Sequence, residues 1–501
     1  MQRGNPDDCR PVLDAGKRRL TIVSNRGPIT YTRVDEERVA SRAGGGLVSA
    51  LRGLVRSHRV TWIACAVTTE DRTVAREQRG HAVPEEDAAG NSFLLHLAEP
   101  APSDFDRAYH EVANPLLWFI QHELYDLGQA PIVSDDTRAA WAAYRRYNAT
   151  MAAAATEYDA DALMVHDYQL YLVPAMLREA GVTTPMLHFT HIPWPTPDAW
   201  RLLPVDLRTE LLHGLLGADI VGLQTARDVH NFLATCDEHL TEVTINFDLQ
   251  TVHVVNDHQT RDVLIRHYPI SVDPDGFYEH LTAPEIIAAT AELTESRPWH
   301  LILRVDRTDP SKNIDRGFYA YDRLLTRRPD LHGAVSLLTL LDPSRLSIPA
   351  YATYFETIQT TAAEINLRHG RDGWLPIDLR IGDNFPLVIA AYQQYDVLLV
   401  NALADGMNLI AKEAPLLNET DGVVVLSERA GAYEELEPFV LGVDPLDIEA
   451  TAAQLEHAID LPAADRAARS LGLKEFLVKH DVSRWIDLQL HDLDDLMETR
   501  R

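Results

Sequence analysis

Leu301-Ile-Leu-Arg-Val305 is a short apolar run broken by one arginine, and Asp306-Arg-Thr-Asp-Pro-Ser-Lys312 follows it at once. The run is too short for a typical helix, is rich in branched side chains and is bounded by a proline-containing turn. It therefore reads as a strand buried on both faces, with a polar loop leaving its carboxyl end. The same grammar recurs at residues 20–24, 60–64, 163–165, 186–189 and 220–223, and again at 334–341, 377–381, 397–400 and 423–426, with helix-length stretches between. Parallel strands joined by crossover helices produce this alternation, because helices cover both faces of the sheet. The expected fold is α/β, with two doubly wound lobes. Residues 1–16 read as a flexible tail, 17–272 as the first lobe, 273–481 as the second, and 482–501 as a helix that can cross back to the first. Residues 243–270 alternate apolar and polar side chains, as an antiparallel hairpin does.

Composition narrows the functional classes. A chain of 501 residues is long enough for two to four domains at roughly 100–200 residues each, so a small disulfide scaffold is excluded. Lys and Arg total 46 against 75 Asp and Glu, a net charge of −29, which repels nucleic acid and anionic membrane. Any phosphate must be held by a local basic pocket. Cys9, Cys65 and Cys236 are far apart, odd in number and without metal-ligand spacing. A reduced cytoplasmic chain with no cofactor and no metal is expected. No apolar run approaches membrane-spanning length, and a homo-oligomer is allowed but not indicated.

In open parallel sheets, ligands bind beyond the carboxyl ends of the strands, where loop amides and helix N-termini converge. Polar clusters fall at those ends: Ser24-Asn-Arg26, His166-Asp-Tyr168, His191-Ile-Pro193, Gly222-Leu-Gln-Thr225, Arg307 to Lys312, Asp342-Pro-Ser-Arg345 and Asp405-Gly-Met-Asn-Leu409. One cleft between two lobes, with a different ligand portion on each side, accounts for them. Arg307 and Lys312 can aim a guanidinium and an ammonium at one diphosphate, although a solvated basic loop has the same composition. The chain has 41 arginines and 5 lysines, and both Lys312 and Lys412 fall in candidate site loops. Gly44-Gly-Gly46 precedes a helical pattern and offers amides to a phosphate or a plain flexible turn. His191 suits a sugar hydroxyl or a core hydrogen bond, and Asp167 a sugar or a helix cap. Glu413 shares the helix face that starts at Leu409, and Tyr109 and Trp118 suit a sugar-contacting surface or the core.

Together these motifs resemble glycosyltransferase family 20, the trehalose-6-phosphate synthase family. The resemblance runs in order from Val23-Ser-Asn-Arg26 to Val423-Val-Val-Leu-Ser-Glu-Arg-Ala-Gly431, and it is most specific at His166-Asp-Tyr-Gln169, His191-Ile-Pro-Trp-Pro195 and Asp405-Gly-Met-Asn-Leu-Ile-Ala-Lys-Glu413. It implies two facing Rossmann-like domains, the GT-B arrangement. It also implies a retaining transfer of glucose from a nucleotide-glucose to glucose 6-phosphate, giving α,α-trehalose 6-phosphate. Arg307 and Lys312 would hold the donor diphosphate and Glu413 the ribose. Gly45, Gly46, His191, Gln224, Asp405, Gly406, Met407, Asn408 and Leu409 would serve the donor sugar and phosphate. Arg26, Tyr109, Trp118 and Arg345 would grip the acceptor phosphate, and Asp167 its hydroxyls. Asn313 stands where many family members have glycine, Ala404 where arginine is common, Ser271 where glycine is usual and Cys65 where a second tryptophan often occurs. The Arg307–Asn313 loop, Pro343-Ser-Arg345 and Glu413-Ala-Pro-Leu-Leu-Asn418 are also similar to validoxylamine 7'-phosphate synthase, which couples cyclitols. This makes GDP-glucose the preferred donor over UDP- or ADP-glucose. A cyclitol-coupling enzyme and a silent sugar-phosphate sensor are the alternatives.

Overall fold

The computed structural model describes residues 17–42, 46–87, 90–125, 130–256, 259–371 and 373–499. Gly44 and Gly45 lie outside the described residues, and Gly46 opens the helix Gly46–Ser57. The first half of the chain supplies strands β1 (Arg19–Ser24), β2 (Ile29–Val34), β3 (Glu37–Arg42), β4 (Arg59–Cys65), β5 (Val83–Glu86), β6 (Ser92–Ala98), β7 (Ala162–His166), β8 (Met186–Phe189), β9 (Ile220–Leu223), β10 (Val243–Asn246), β11 (Thr251–Asn256) and β12 (Gln259–His267). Ten of them form one sheet in the order β10-β11-β12-β9-β8-β7-β1-β4-β6-β5, while β2 and β3 pair with each other as a separate hairpin. The seven strands from β12 to β6 are parallel, and β5 and the β10–β11 pair add antiparallel edges.

The second half supplies β13 (His300–Arg307), β14 (Val335–Asp342), β15 (Ile377–Ile381), β16 (Val397–Val400), β17 (Val423–Ser427) and β18 (Leu441–Val443). These make one parallel sheet in the order β15-β14-β13-β16-β17-β18. All ten strands read from the sequence lie within this set. Burial on both faces is the reason: along β1, Leu20 and Ile22 enter one core while Val23 enters another, and none is more than 1% exposed.

Three differences from the sequence reading have local causes. β6 was not expected because its pattern mixes exposed Ser92 and Leu94 with buried Phe93 and Leu95. The hairpin of β2 and β3 carries polar residues on most positions and stands outside the large sheets. β12 closes the expected hairpin on one side only, pairing antiparallel with β11 but parallel with β9.

The helix Val482–Thr499 packs on the first sheet's layer. Its Trp485 is 1% exposed and meets Phe189 edge-on at 5.3 Å. Ile486 lies against Gly53 of the helix Gly46–Ser57, Tyr268 donates to Asp492 at 2.5 Å, and Arg18 pairs with Asp494. Val482 N bonds Val272 O at 2.9 Å, so the end of the chain is tied to the segment that joins the two sheets. Removing a buried tryptophan costs about 3–5 kcal/mol. Trp485→Ala is therefore expected to lower the unfolding free energy by that order and the denaturant midpoint with it; an unchanged midpoint would show that the helix is dispensable to the first lobe.

Candidate active site

The carboxyl ends of both parallel sheets border one cavity of about 1230 Å³. Arg26, Tyr109, Trp118, Asp167, His191 and Gln224 line it from the first sheet's loops. Arg307, Lys312, Arg345, Asp405, Met407, Asn408, Leu409 and Glu413 line it from the second. Five cations, Arg26, Arg307, Lys312, Arg345 and Arg380, are thus drawn to one wall of this strongly acidic chain, beside the carboxylates of Asp167, Asp306, Asp342, Asp383, Asp405 and Glu413.

Arg307 ends β13, and Lys312 ends the short turn Pro310–Lys312. Asn313 then adopts φ 57°, ψ 42°, the left-handed conformation that asparagine tolerates better than most residues. Its amide nitrogen donates to Asn401 O at 2.9 Å and Pro445 O at 2.8 Å, so asparagine fills here both the backbone requirement of a glycine and a bonding role. Arg304, fully buried beneath the loop, donates to Asn401 Oδ1 at 2.5 Å, to Asp306 at 2.9 Å and to Lys312 O. The Lys312 ammonium meets Asp405 Oδ2 at 2.5 Å, and Asn408 Nδ2 donates to the same oxygen at 3.0 Å. Burial pushes the Asp405 carboxyl up, but Lys312 outweighs it and holds the carboxyl below its usual value.

A second cationic station surrounds Trp118. The Arg345 guanidinium lies 4.1 Å and the Arg307 guanidinium 5.7 Å from the Trp118 ring centre, within cation–π range. Arg345 has φ 51° and donates to Tyr351 Oη at 2.8 Å and Tyr168 Oη at 3.2 Å. That left-handed backbone is tolerated because the side chain is fixed on several partners. Tyr109 and Trp118 flank a helical segment kinked at Asn114, whose side-chain oxygen accepts from Tyr168 Oη at 2.8 Å. Burial raises the Tyr109 hydroxyl, but Arg345 and Arg26 outweigh it and hold the group below its ordinary range. Both arginines therefore act on the same ring.

Between the stations, Asp167 (φ 77°) accepts from His191 N at 3.2 Å, and burial pushes its carboxyl up to about 6. His191 Nε2 lies 3.2 Å from His166 Nδ1. Burial keeps both rings well below the usual histidine range, so this pair is neutral at pH 7.

Several sequence expectations change. Gly406 is not among the residues lining the cavity: a Cβ there would stand 2.1 Å from His191 O, so this glycine lets the two lobes approach closely. Gln224 does line the cavity, but its side chain accepts from Ile270 N at 3.0 Å and donates to His191 O at 3.4 Å, which makes it a brace for the segment joining the sheets. Lys412 is turned inward, donating to Ile270 O at 2.8 Å and Glu435 at 2.6 Å, and is absent from the wall. Sequence reasoning missed His122 and the wall segment from Arg380 to Asn384, and it gave Tyr168 a place in a strand-end cluster but no role. His122 stacks on Trp118 at 4.0 Å, and burial lowers it to about 4. Among the described residues there is no cluster of three metal-ligating side chains, and no helix is long and apolar enough to cross a membrane.

Glu413 accepts from Tyr392 Oη at 3.3 Å, and burial pushes its carboxyl from 4.5 up to about 7. The folded state prefers the protonated form, so that stabilisation is complete below 4.5 and is lost as the pH rises through about 7. At 1.36 kcal/mol per unit the loss reaches up to about 3 kcal/mol. Glu413→Gln cannot ionise, so its stability relative to the unsubstituted chain is expected to rise between pH 5 and pH 8. A difference that stays constant across that range in paired unfolding measurements would contradict the burial of an ionisable group there.

Comparison with known proteins agrees with this geometry. The model of "Glycosyltransferase family 20" matches residues 18–495. A validamine 7-phosphate valienyltransferase of Streptomyces hygroscopicus subsp. jinggangensis is 31% identical over 488 residues, covering 95% of this chain and 94% of that protein. A trehalose-6-phosphate synthase of Salmonella arizonae is also 31% identical, over 489 residues and 95% of each chain. A solved Escherichia coli structure described as trehalose-6-phosphate bound with UDP-2-fluoro glucose superposes with a TM-score of 0.80 at 28% identity, covering 95% of this chain and 98% of that one. The Burkholderia xenovorans UDP-forming α,α-trehalose-phosphate synthase in complex with glucose-6-phosphate gives 0.78 at 28% identity, over 95% and 100%. With its two facing parallel-sheet lobes in the GT-B arrangement, this chain belongs to glycosyltransferase family 20.

Proposed function

We propose that the protein transfers glucose from a nucleotide-glucose to glucose 6-phosphate with retention of configuration, giving α,α-trehalose 6-phosphate. The observation that carries this reading is the set of cations in one cleft: Arg307 with Lys312, and Arg26 with Arg345, which act together on Tyr109. The lobe of residues 17–272 supplies most of the acceptor side and the lobe of 273–481 the donor side. Arg307 and Lys312 take the diphosphate, Glu413 the ribose, His191 and Asp405 the donor sugar, and Asp167 the acceptor hydroxyls. Asp167, with its carboxyl near 6, is a carboxylate acceptor at neutral pH.

In this reading the bond from the anomeric carbon to the diphosphate breaks as the acceptor hydroxyl attacks from the same face. The hydroxyl proton passes to the departing phosphate oxygen. Catalysis is then electrostatic: Arg307 and Lys312 stabilise charge growing on the leaving group, and the closed gap aligns the acceptor and excludes water. Lys312 comes to that task already oriented by Asp405. Buried Cys65 and Cys236 are free thiols, which suits the reducing cytoplasm in which we place the reaction.

Guanine is the donor base we propose, on the resemblance of the Arg307–Asn313 and Glu413–Asn418 segments; a UDP-linked sugar is what a structural neighbour carries by its description. The equal 31% identity to a validamine 7-phosphate valienyltransferase favours, as second reading, the coupling of a nucleotide-linked cyclitol to an aminocyclitol phosphate. A matrix of UDP-, GDP- and ADP-glucose against glucose 6-phosphate and an aminocyclitol phosphate, with products identified by mass, separates these readings. In the productive pair, Arg307→Ala is expected to lower kcat/KM by about two orders of magnitude, near 2.7 kcal/mol. Arg345→Ala is expected chiefly to raise the KM for the acceptor. Turnover near that of the unsubstituted chain in Arg307→Ala, or an unchanged acceptor dependence in Arg345→Ala, would remove the assignments.

A further inference from the structure

Asp309 lies behind the cavity wall, yet it touches both stations. Its side chain is 0% exposed. Oδ1 accepts from Ser311 N at 3.0 Å, Ser311 Oγ at 2.9 Å and Trp118 Nε1 at 3.3 Å, and Oδ2 accepts from Arg345 Nη1 at 3.3 Å. The first two bonds shape the turn that presents Lys312. The third crosses from the second lobe to the first. The fourth holds Arg345, which itself reaches Tyr168 in the first lobe. Burial disfavours the charged carboxylate, but Arg345, Arg307 and His122 outweigh it, and the group stays ionised with its value lowered. An ion in so dry a place is tolerated only while its partners remain, because losing one leaves the charge uncompensated. Movement of the Lys312 turn is thereby felt at Arg345 and Trp118.

We propose that Asp309 is a positioning residue that couples the two substrate stations, so that filling the diphosphate station and ordering the phosphate station become one event. This rests on the reading of the cleft given above. Asp309 touches neither substrate and acts through Lys312, Trp118 and Arg345. A purely local role, capping the turn at Ser311, would affect stability without linking the two ligands.

The test is titration calorimetry of glucose 6-phosphate in the presence and absence of saturating GDP or UDP. In the unsubstituted chain, the nucleotide is expected to tighten glucose 6-phosphate binding by at least about fivefold. In Asp309→Asn, which keeps the shape and removes the charge, the ratio is expected to fall below about twofold, while each ligand alone still binds. Should that variant fail to fold, Trp118→Phe removes the indole bond to Asp309 while keeping an aromatic ring under Arg345, and it is expected to lower the ratio part of the way. Full coupling in the folded variants, or a ratio near one in the unsubstituted chain, overturns the inference and leaves the reading of the cleft standing. Failure of the unsubstituted chain to bind either ligand overturns that reading and the inference with it.

Discussion

Two phosphorylated sugars repel each other, and a protein with a net charge of −29 repels both. A cleft that is to bring them together must therefore concentrate positive charge where the chain as a whole has little. Parallel sheets supply the means. Their strands all end at the same edge, so residues distant in sequence arrive at one rim: Arg26 after β1, Arg307 at the end of β13, Arg345 after β14 and the Asp405–Leu409 loop after β16. Two such rims facing each other give one gap with two cationic stations.

The cations are held by different means. Arg307 and Arg26 stand exposed, whereas Lys312 is paired with Asp405 and Arg345 with Asp309. Pairing fixes where an ammonium or guanidinium points, and it also lessens the positive field offered to a ligand. The exposed arginines supply the field and the paired cations supply the geometry. Left-handed backbone at Asp167, Asn313, Arg345 and Asn408 is part of the same construction, because such conformations persist where surroundings over-determine them.

The fold was legible in the sequence wherever a strand is buried on both faces, since an unbroken apolar run as short as Val397–Val400 suits a sheet interior better than a helix. It was missed in β6, whose pattern mixes exposed and buried apolar residues, and where a hairpin lies off the sheets, as in β2 and β3. The site showed a similar division. Charged residues at strand ends, such as Arg307, Lys312 and Asp405, announced themselves by position. His122 and Asp309 did not, because a buried ring or carboxylate acquires its task from neighbours that only the fold supplies. Lys412 erred the other way. The rarity of lysine and its place in a candidate site loop suggested the site, but a helix turns consecutive residues to different faces, and the ammonium serves Ile270 and Glu435 instead.

The proposed reaction requires one gap to hold an activated hexose by its diphosphate and a hexose by its phosphate at the same time. A crystal structure of the protein with a nucleoside diphosphate and glucose 6-phosphate tests it most directly. The diphosphate is expected against Arg307 and Lys312 and the sugar phosphate against Arg26 and Arg345, with the acceptor sugar turned toward the diphosphate. Either ligand lodged outside that gap, or both competing for one station, would contradict it.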